Sequence, residues 1–483
     1  MTDFIKSSWP WVVSLAAFAL AVVTSAHAIL YKRDVRAAIG WTGLIWLSPF
    51  VGAVLYTVLG VNRLQRKAGR LRRRPLFLPP DSSGVVSLSQ QESGAMLPQG
   101  DPFATLARMV DGITRQPLTD GNRIVPLVNG EEAYPAMLEA IESASVSIAM
   151  VSYIFDYDVA GKMFVEALVR AVGRGVDVRV LIDGVGAKYG KPKVTKVLAG
   201  RGVRVATFLD TWVPAQMTYM NMRNHRKILV TDGRVGFTGG MNIREGSLLE
   251  LDPAHPIQDL HFRIEGPVVR ELLDSFAEDW LFTTGERLED DSWRPPLESV
   301  GTSLARGIPD GPDENFETHR WTFLGAIAQA RERIEILTPY FIPDQTLITA
   351  LNTAAMRGVH VEVMIPEKNN LRFAQWASTA GLWQLLIRGV DVRLTQPPFD
   401  HTKLLVVDRH WVMFGSTNWD ARSLRLNFEF NVECYDPQLA GAVEPLIDAK
   451  RKTARPVTLA EVNGRPLPVR LRDGVARLFS PYL

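Results

Sequence analysis

Two stretches of this chain carry the same polar residues at the same offsets. The first reads His225-Arg-Lys227-Ile-Leu-Val-Thr-Asp232, then Gly239-Gly-Met-Asn242. The second reads His401-Thr-Lys403-Leu-Leu-Val-Val-Asp408, then Gly415-Ser-Thr-Asn418. Side chains alternate along a strand, so His225 and Lys227 project to one side, as do His401 and Lys403. Ile228 and Val230, or Leu404 and Val406, fill the opposite face. Asp232 and Asp408 fall at an odd offset and at the strand's end, facing away from the imidazole, which argues for a structural hydrogen-bonding or charge-pairing role. Lysine beside histidine is costly to bury unless an anion meets it. A phosphate meets that demand: the ammonium groups of Lys227 and Lys403 neutralise its oxygens, and the amides of Asn242 and Asn418 donate to them. One such motif reads equally well as a core histidine beside a surface lysine. Two in identical register do not.

The elements that position these residues also repeat. Apolar strand-like runs at 147–153, 176–182 and 203–208, with a helical pattern at 161–174, read as α/β layers. Arg174-Gly-Val-Asp-Val-Arg-Val-Leu-Ile182 returns as Arg357-Gly-Val-His-Val-Glu-Val-Met-Ile365, and Arg201-Gly-Val-Arg-Val205 as Arg388-Gly-Val-Asp-Val392. Tyr153 and Tyr340 each close an apolar strand before a helix. A unit of roughly 190 residues used twice is far longer than a solenoid repeat, and two such halves pack most simply about a pseudo-twofold axis around a shared cleft. The stretch 75–102, rich in Pro, Ser, Gly and Gln, reads as a linker, and 287–312, with its Pro-Pro pair, as a second.

The 483 residues include 54 Lys+Arg against 52 Asp+Glu, a net charge of +2. That balance excludes a globally basic nucleic-acid binder and an acidic tail protein. One cysteine, Cys434, excludes a disulfide framework or a cysteine zinc cluster. The stretches 9–30 and 37–61 are almost wholly apolar, each long enough for the roughly 30 Å hydrocarbon layer, and Tyr31-Lys-Arg-Asp-Val-Arg36 between them is a tight polar loop. Ala26-His27-Ala28 imitates a signal-peptide cleavage site, but only Lys6 beside Asp3 precedes a long apolar run. Arg63, Arg66, Lys67, Arg70, Arg72, Arg73 and Arg74 follow with no acid among them. The positive-inside rule puts everything after Val61 in the cytoplasm, and the cations would also hold anionic lipid headgroups.

The doubled HxKx4Dx6G(S/G)xN pattern resembles the HKD signature of the phospholipase D superfamily. With the N-terminal spans and the C-terminal Ala476-Arg-Leu-Phe-Ser-Pro-Tyr-Leu483, the chain is similar to bacterial cardiolipin synthases. The resemblance covers the chain beyond residue 120. It implies an α/β fold: two pseudo-twofold-related phospholipase D-like α/β/α lobes (116–290 and 316–483, with an inter-lobe linker at 291–315), preceded by an N-terminal two-helix transmembrane hairpin (1–62) and a basic juxtamembrane segment and linker (63–115). It implies a multi-pass protein of the bacterial inner membrane. It implies transfer of a phosphatidyl group between two phosphatidylglycerol molecules, giving cardiolipin and glycerol without metal, nucleotide or other cofactor, with His225, Lys227, Asp232, His401, Lys403 and Asp408 as the catalytic set. One histidine forms a phosphatidyl-histidine and the other moves protons between the glycerol oxygens; the ordering taken from the family makes His225 the nucleophile and His401 the acid/base. Gly240, where the second motif has Ser416, fits the first motif of these synthases; Thr402, where a smaller residue is common, has no reading.

Each imidazole also needs an acceptor on its far nitrogen. Asp259 and Glu429, on expected strands downstream of each motif, suit that task, or else mark charged strand edges. The stretch 212–222, with three methionines and two aromatics, and 370–386, with Trp376 and Trp383, read either as acyl-chain contacts or as ordinary core. The superfamily's hydrolases, phosphatidylserine synthases and nucleases use the same pairs, so the acceptor alcohol stays open, as does the oligomeric state. A nuclease would want a basic, aromatic-studded cleft and no hairpin. Both motifs are complete, which disfavours an inactive scaffold. No HExxH, GxxxxGK[ST] or GxGxxG element is present, and Asp473-Gly-Val-Ala-Arg477 lacks a spacer residue of the metal-dependent, nucleotide-activated family's signature.

Overall fold

The computed structural model describes residues 2–32, 35–57, 96–114, 116–209, 222–313 and 315–483. The chain divides into two compact units, Met1–Leu71 and Arg72–Leu483.

The first unit contains helices α1 (Thr2–Tyr31), α2 (Val35–Leu47) and α3 (Pro49–Leu55). Within α1, Trp11–Tyr31 is long and apolar enough to cross a bilayer, with mean hydropathy 2.1. The second stretch is not the continuous span expected from 37 to 61. It breaks at Ser48, whose φ of −148° and ψ of 82° leave the helix just before Pro49, because proline lacks an amide hydrogen and forces its predecessor out of the α region. Its apolar part, Ala37–Leu47, is about half the length a perpendicular span takes. The helices close as a hairpin through a 2.8 Å hydrogen bond between His27 Nδ1 and the Tyr56 hydroxyl and edge-to-face pairs of Trp41 with Tyr56 and Phe18 with Trp46. The arginine run after Val61 and most of the expected linker lie outside the described residues.

The second unit is built on one sheet. Its first half contributes β1 (Thr119–Val128), β2 (Ser147–Ser152), β3 (Asp177–Asp183), β4 (Arg204–Phe208), β5 (Arg223–Asn224), β6 (Ile228–Thr231), β7 (Val235–Gly239), β8 (Ile257–Gln258) and β9 (Leu260–Glu265). Its second half contributes β10 (Ser303–Asp310), β11 (Arg333–Leu337), β12 (His360–Pro366), β13 (Asp391–Thr395), β14 (Phe399–Asp400), β15 (Leu404–Val407), β16 (Trp411–Gly415), β17 (Asn427–Tyr435) and β18 (Arg455–Pro456). The order β18-β13-β12-β11-β15-β16-β17-β10-β1-β9-β7-β6-β2-β3-β4 is palindromic about the β1–β10 pair, save for the edge strand β18. That is the pseudo-twofold relation the repeat implied.

Each half buries parallel strands whose apolar runs need cover on both faces. Ile148, Met150, Val180, Phe164, Leu168 and Phe237 belong to one core, and Ile336, Val363, Leu351, Leu405, Phe323 and Trp411 to the other. Two boundaries differ from expectation. The inter-lobe linker contains β10, which pairs with both β1 and β17 and so joins the lobes as sheet. The segment before residue 115 contains the helix Ala104–Thr114, whose Leu106, Ala107 and Val110 enter the second lobe's core. Fully buried Arg306 on β10 pins that helix, pairing with Asp111 and, at 2.7 Å, with Glu433.

Candidate active site

The His-x-Lys triplets do not lie inside strands, as alternation alone suggested. They form extended links from β5 to β6 and from β14 to β15, and each link is clamped to the opposite lobe. β5 runs parallel to β17, and His225 N donates to Phe428 O at 2.9 Å. β14 runs parallel to β8, and His401 N donates to Gln258 O at 2.7 Å. Histidine and lysine still share a side: Lys227 Nζ donates to His225 O at 2.6 Å, and Lys403 Nζ to His401 O at 2.7 Å. The residue between them turns the other way. Fully buried Arg226 pairs with Asp279 at 2.8 Å and donates to Ser275 O and Glu429 O.

The carboxylates that hold the imidazoles are exchanged between lobes. His225 Nδ1 lies 2.9 Å from Glu429 Oε2, and His401 Nδ1 lies 2.8 Å from Asp259 Oδ2. An ionised carboxylate only accepts, so each Nδ1 carries the proton and each Nε2 keeps a lone pair. Each carboxylate is sealed, at 0% and 1% side-chain exposure, while the imidazoles retain 11% and 10%. Nε2 is therefore the ring nitrogen that does not face the carboxylate. Lys403 Nζ sits 3.1 Å from both ring nitrogens of His401, whereas Lys227 Nζ bonds the backbone of His225.

Burial pushes both imidazoles down to about 4, because desolvation and the nearby ammonium groups outweigh the facing carboxylates. Both histidines are therefore neutral at pH 7. Burial likewise lowers Lys227 to about 7 and Lys403 to about 8, each opposed by the two carboxylates. Each histidine feels both lysines, and each lysine feels both carboxylates, so the two motifs form one electrostatic site. Glu429 stays charged: His225 and Lys227 and a 2.5 Å bond from Ser416 Oγ overcome its burial and hold it at about 2.

Asp232 and Asp408 are not in the reacting set. Asp232 accepts from the backbone N–H groups of Ser145, Val146 and Ser147, and Asp408 from those of Arg331, Glu332 and Arg333. Both adopt left-handed backbone, with φ of 49° and 52°, and turn the chain into the β6–β7 and β15–β16 hairpins. They tie each motif strand to the start of β2 or β11, far along the strand from the imidazole, and this corrects their place in the expected catalytic set. Asn242 spends its carbonyl oxygen on Ile154 N at 3.1 Å, and Asn418 donates to Ser423 Oγ at 3.1 Å. Both are buried beside the motif glycines. Gly239 and Gly415 are needed for close approach: a Cβ there would fall 2.7 Å from Leu260 O and 2.3 Å from Phe430 O.

Several site residues escaped the sequence reading. Tyr153 and Tyr340, seen only as repeat markers, place rings edge-on at 5.1 Å from His225 and 6.4 Å from His401. Thr417, the variable residue of Gly415-Ser-Thr-Asn418, bonds buried His319 Nδ1 at 2.7 Å. The segment 212–221 lies outside the described residues. Among the described residues, His360, Glu362 and Asp391 lie close enough to hold a metal ion, but Arg393 and Arg451 already pair with Glu362.

The chain is similar to known proteins. A family model described as cardiolipin synthase, PLD-like domain, matches residues 137–280 and 323–449, one motif in each segment and more than half of the chain. The chain belongs to this family. Its relatives in the cardiolipin synthase family include a Cardiolipin synthase A of Pseudomonas putida, 32% identical with 96% of each chain covered. A Cardiolipin synthase of Geobacillus thermodenitrificans is 31% identical over 94% of this chain and 90% of its own. A phosphatidylserine synthase of Haemophilus influenzae shares the fold, with a TM-score of 0.61, 18% identity, and coverage of 78% of this chain and all of that one.

Proposed function

We propose that this chain transfers a phosphatidyl group from one phosphatidylglycerol to another, giving cardiolipin and glycerol, through a phosphohistidine on His225. The observation that carries this reading is the pair of imidazoles, each fixed by the opposite lobe's carboxylate with Nε2 not facing it, beside two partly discharged lysines. The Nε2 lone pair of His225 attacks phosphorus, and the bond to the leaving glycerol oxygen breaks. That oxygen takes a proton from His401, which the arriving phosphodiester anion has helped to charge. The acceptor's glycerol hydroxyl then returns a proton to His401 and attacks phosphorus, and the P–N bond electrons go back to His225.

The assignment of His225 is supported by asymmetry. Its Nε2 has no lysine on it, and Glu429 behind it is braced by Ser416 and Asn427. The His401 ring instead lies against Lys403, whose ammonium, 3.1 Å from both ring nitrogens, lowers its proton affinity and so eases release of a proton to the leaving oxygen. Lys227, Lys403, Asn242 and Asn418 bind the phosphoryl oxygens in this reading. The hairpin anchors the protein in the inner membrane with both lobes cytoplasmic, and the arginine run holds anionic lipid headgroups. Phosphatidylglycerol vesicles incubated with purified protein in chelator, with products identified by mass, test the proposal. Cardiolipin and free glycerol support it, whereas phosphatidic acid alone would make the protein a hydrolase.

A further inference from the structure

The C-terminal helix Leu467–Leu478 is amphipathic the wrong way round for a helix on a water-soluble surface. Its apolar residues at i, i+4, i+8 and i+11 face out: Leu467, Leu471, Val475 and Leu478 are exposed by 66%, 61%, 54% and 76%, and Phe479 follows at 50%. The side packed on the protein carries Asp473 and Ala476, exposed by 2% and 0%. A helix docking on a water-soluble core buries its leucines and shows its aspartate.

The stripe does not stand alone. Ala476 packs with Ala374 and Ala377 of the neighbouring helix Arg372–Gly381, and Phe373 of that helix meets Phe479 at 5.6 Å. Leu371 is also exposed, so the apolar surface spans both helices. Exposed Arg372 and Arg470, with Arg477 at the stripe's flank, have no ion pair among the described residues. Arg472 by contrast is committed, stacked 4.3 Å over Trp376 and paired with Asp473. Uncommitted cations flanking an outward apolar stripe are the pattern of a helix lying in a membrane interface, where they meet anionic headgroups.

We propose that these two helices form a docking surface seated on an anionic phospholipid bilayer, bringing the second histidine's side of the active site to the lipid. The charge pattern favours a bilayer over a protein partner, and so does position. Tyr340, whose ring faces His401 at 6.4 Å, packs in the same cluster as Ala374 and Ala476. A small cavity of about 80 Å³ lies against this cluster, lined by Tyr340, Phe341, Ala374, Ser378, Leu382 and Arg465. This surface belongs to the catalytic unit itself, and its docking does not depend on which alcohol accepts the phosphatidyl group.

The full chain carrying L471C or V475C, labelled with an environment-sensitive thiol fluorophore and reconstituted in phosphatidylethanolamine–phosphatidylglycerol vesicles, tests this directly; native Cys434 is buried and does not compete. Docking predicts blue-shifted emission, quenched at least about twofold when brominated lipids replace ordinary ones. Water-like, unquenched emission would overturn the proposal. So would a blue shift without bromolipid quenching accompanied by cross-linking between two copies, which would make the face a dimer interface. A second variant, L471E/V475E/L478E, changes only exposed side chains. It should turn over vesicle phosphatidylglycerol about tenfold more slowly while matching wild type on dispersed short-chain phosphatidylglycerol. Equal losses on both substrates would show a structural role and sink the docking surface. The label measurement decides the matter even if wild type forms no cardiolipin.

Discussion

Exchanging Glu429 for glutamine keeps the side chain's shape and removes its charge, and its consequence can be worked from the site. The carboxylate is fully buried and accepts from His225 Nδ1, Ser416 Oγ and Asn427 Nδ2. Those partners and Lys227 hold it at about 2, against an ordinary value of 4.5. At about 1.4 kcal/mol per unit, the charged form gains roughly 3 kcal/mol from its surroundings. The share that reaches the reaction is what His225 receives as it turns into a phosphoryl-imidazolium, about 2 kcal/mol for a buried charge-assisted bond. That is about 30-fold in the rate of phosphoenzyme formation. Rapid acid quench with phosphatidylglycerol labelled in its phosphate, counting protein-bound label, measures this step. Glu429→Gln should form adduct about 30-fold more slowly. Asp259→Asn, acting through His401, should form adduct from a substrate with a good leaving group and fail to discharge it. The phenotypes follow the exchange: the second-lobe carboxylate governs the first-lobe histidine. A folded Glu429→Gln protein that forms adduct at the wild-type rate would refute the reasoning, and reversed phenotypes would reverse the roles.

Burial keeps His225, His261, His319 and His401 near 4, against about 6.5 when unfolded. Between these values the unfolded chain binds protons that the folded chain refuses, so stability rises with pH there, is complete above about pH 6.5 and is lost on acidification. Melting at pH 5 should reveal a loss of about 2 kcal/mol per histidine relative to pH 7.5, and equal melting temperatures would contradict it. Orthovanadate should raise the melting temperature of wild type by binding between Lys227 and Lys403, and should do little for Lys403→Met, as a thermal shift series will show. Gly240→Ala would put a Cβ 2.3 Å from Asp259 Oδ1; turnover should fall at least about tenfold while melting changes little, because the displaced group is the one holding His401. Arg226→Met removes the guanidinium facing buried Asp279 and should cost about 3–5 kcal/mol in chemical denaturation.

The duplicated motifs, the α/β repeat and the two carboxylates were legible in the sequence because each rests on residue type and short spacing. What was not legible is which carboxylate serves which histidine. That depends on β5 with β17 and β8 with β14, two-residue parallel pairs between lobes that leave no periodicity to read. β10 was hidden because Gly307, Pro309 and Gly311 look like a turn, yet its central Arg306 is satisfied by Glu433 from the neighbouring strand. The helix Ala104–Thr114 was hidden by the irregular composition just before it. The burial of Arg226 was not legible because its counterion, Asp279, lies on a helix 53 residues away. Pro49, by contrast, was in plain view; the apolar run on either side of it outweighed the backbone rule that breaks the helix.

The exchange also accounts for why two near-identical halves can divide the labour. In a self-contained lobe, each histidine would be fixed by its own carboxylate and each half would carry the same chemistry. With the carboxylates crossed, neither imidazole has its tautomer fixed until both lobes are in place, so the site exists only as a pair. The pair is then biased at a single position. Ser416 adds a hydroxyl that donates to Glu429, while Gly240 adds none, and a side chain there would strike Asp259. Glu429 is thereby pinned as a permanent anion behind His225, which suits a nucleophile that must carry positive charge once it bonds phosphorus. Asp259 has no such brace from the equivalent position, and Lys403 lies 3.1 Å from both ring nitrogens of His401. In the proposed mechanism, this serine-for-glycine difference favours His225 for the covalent role and His401 for proton transfer.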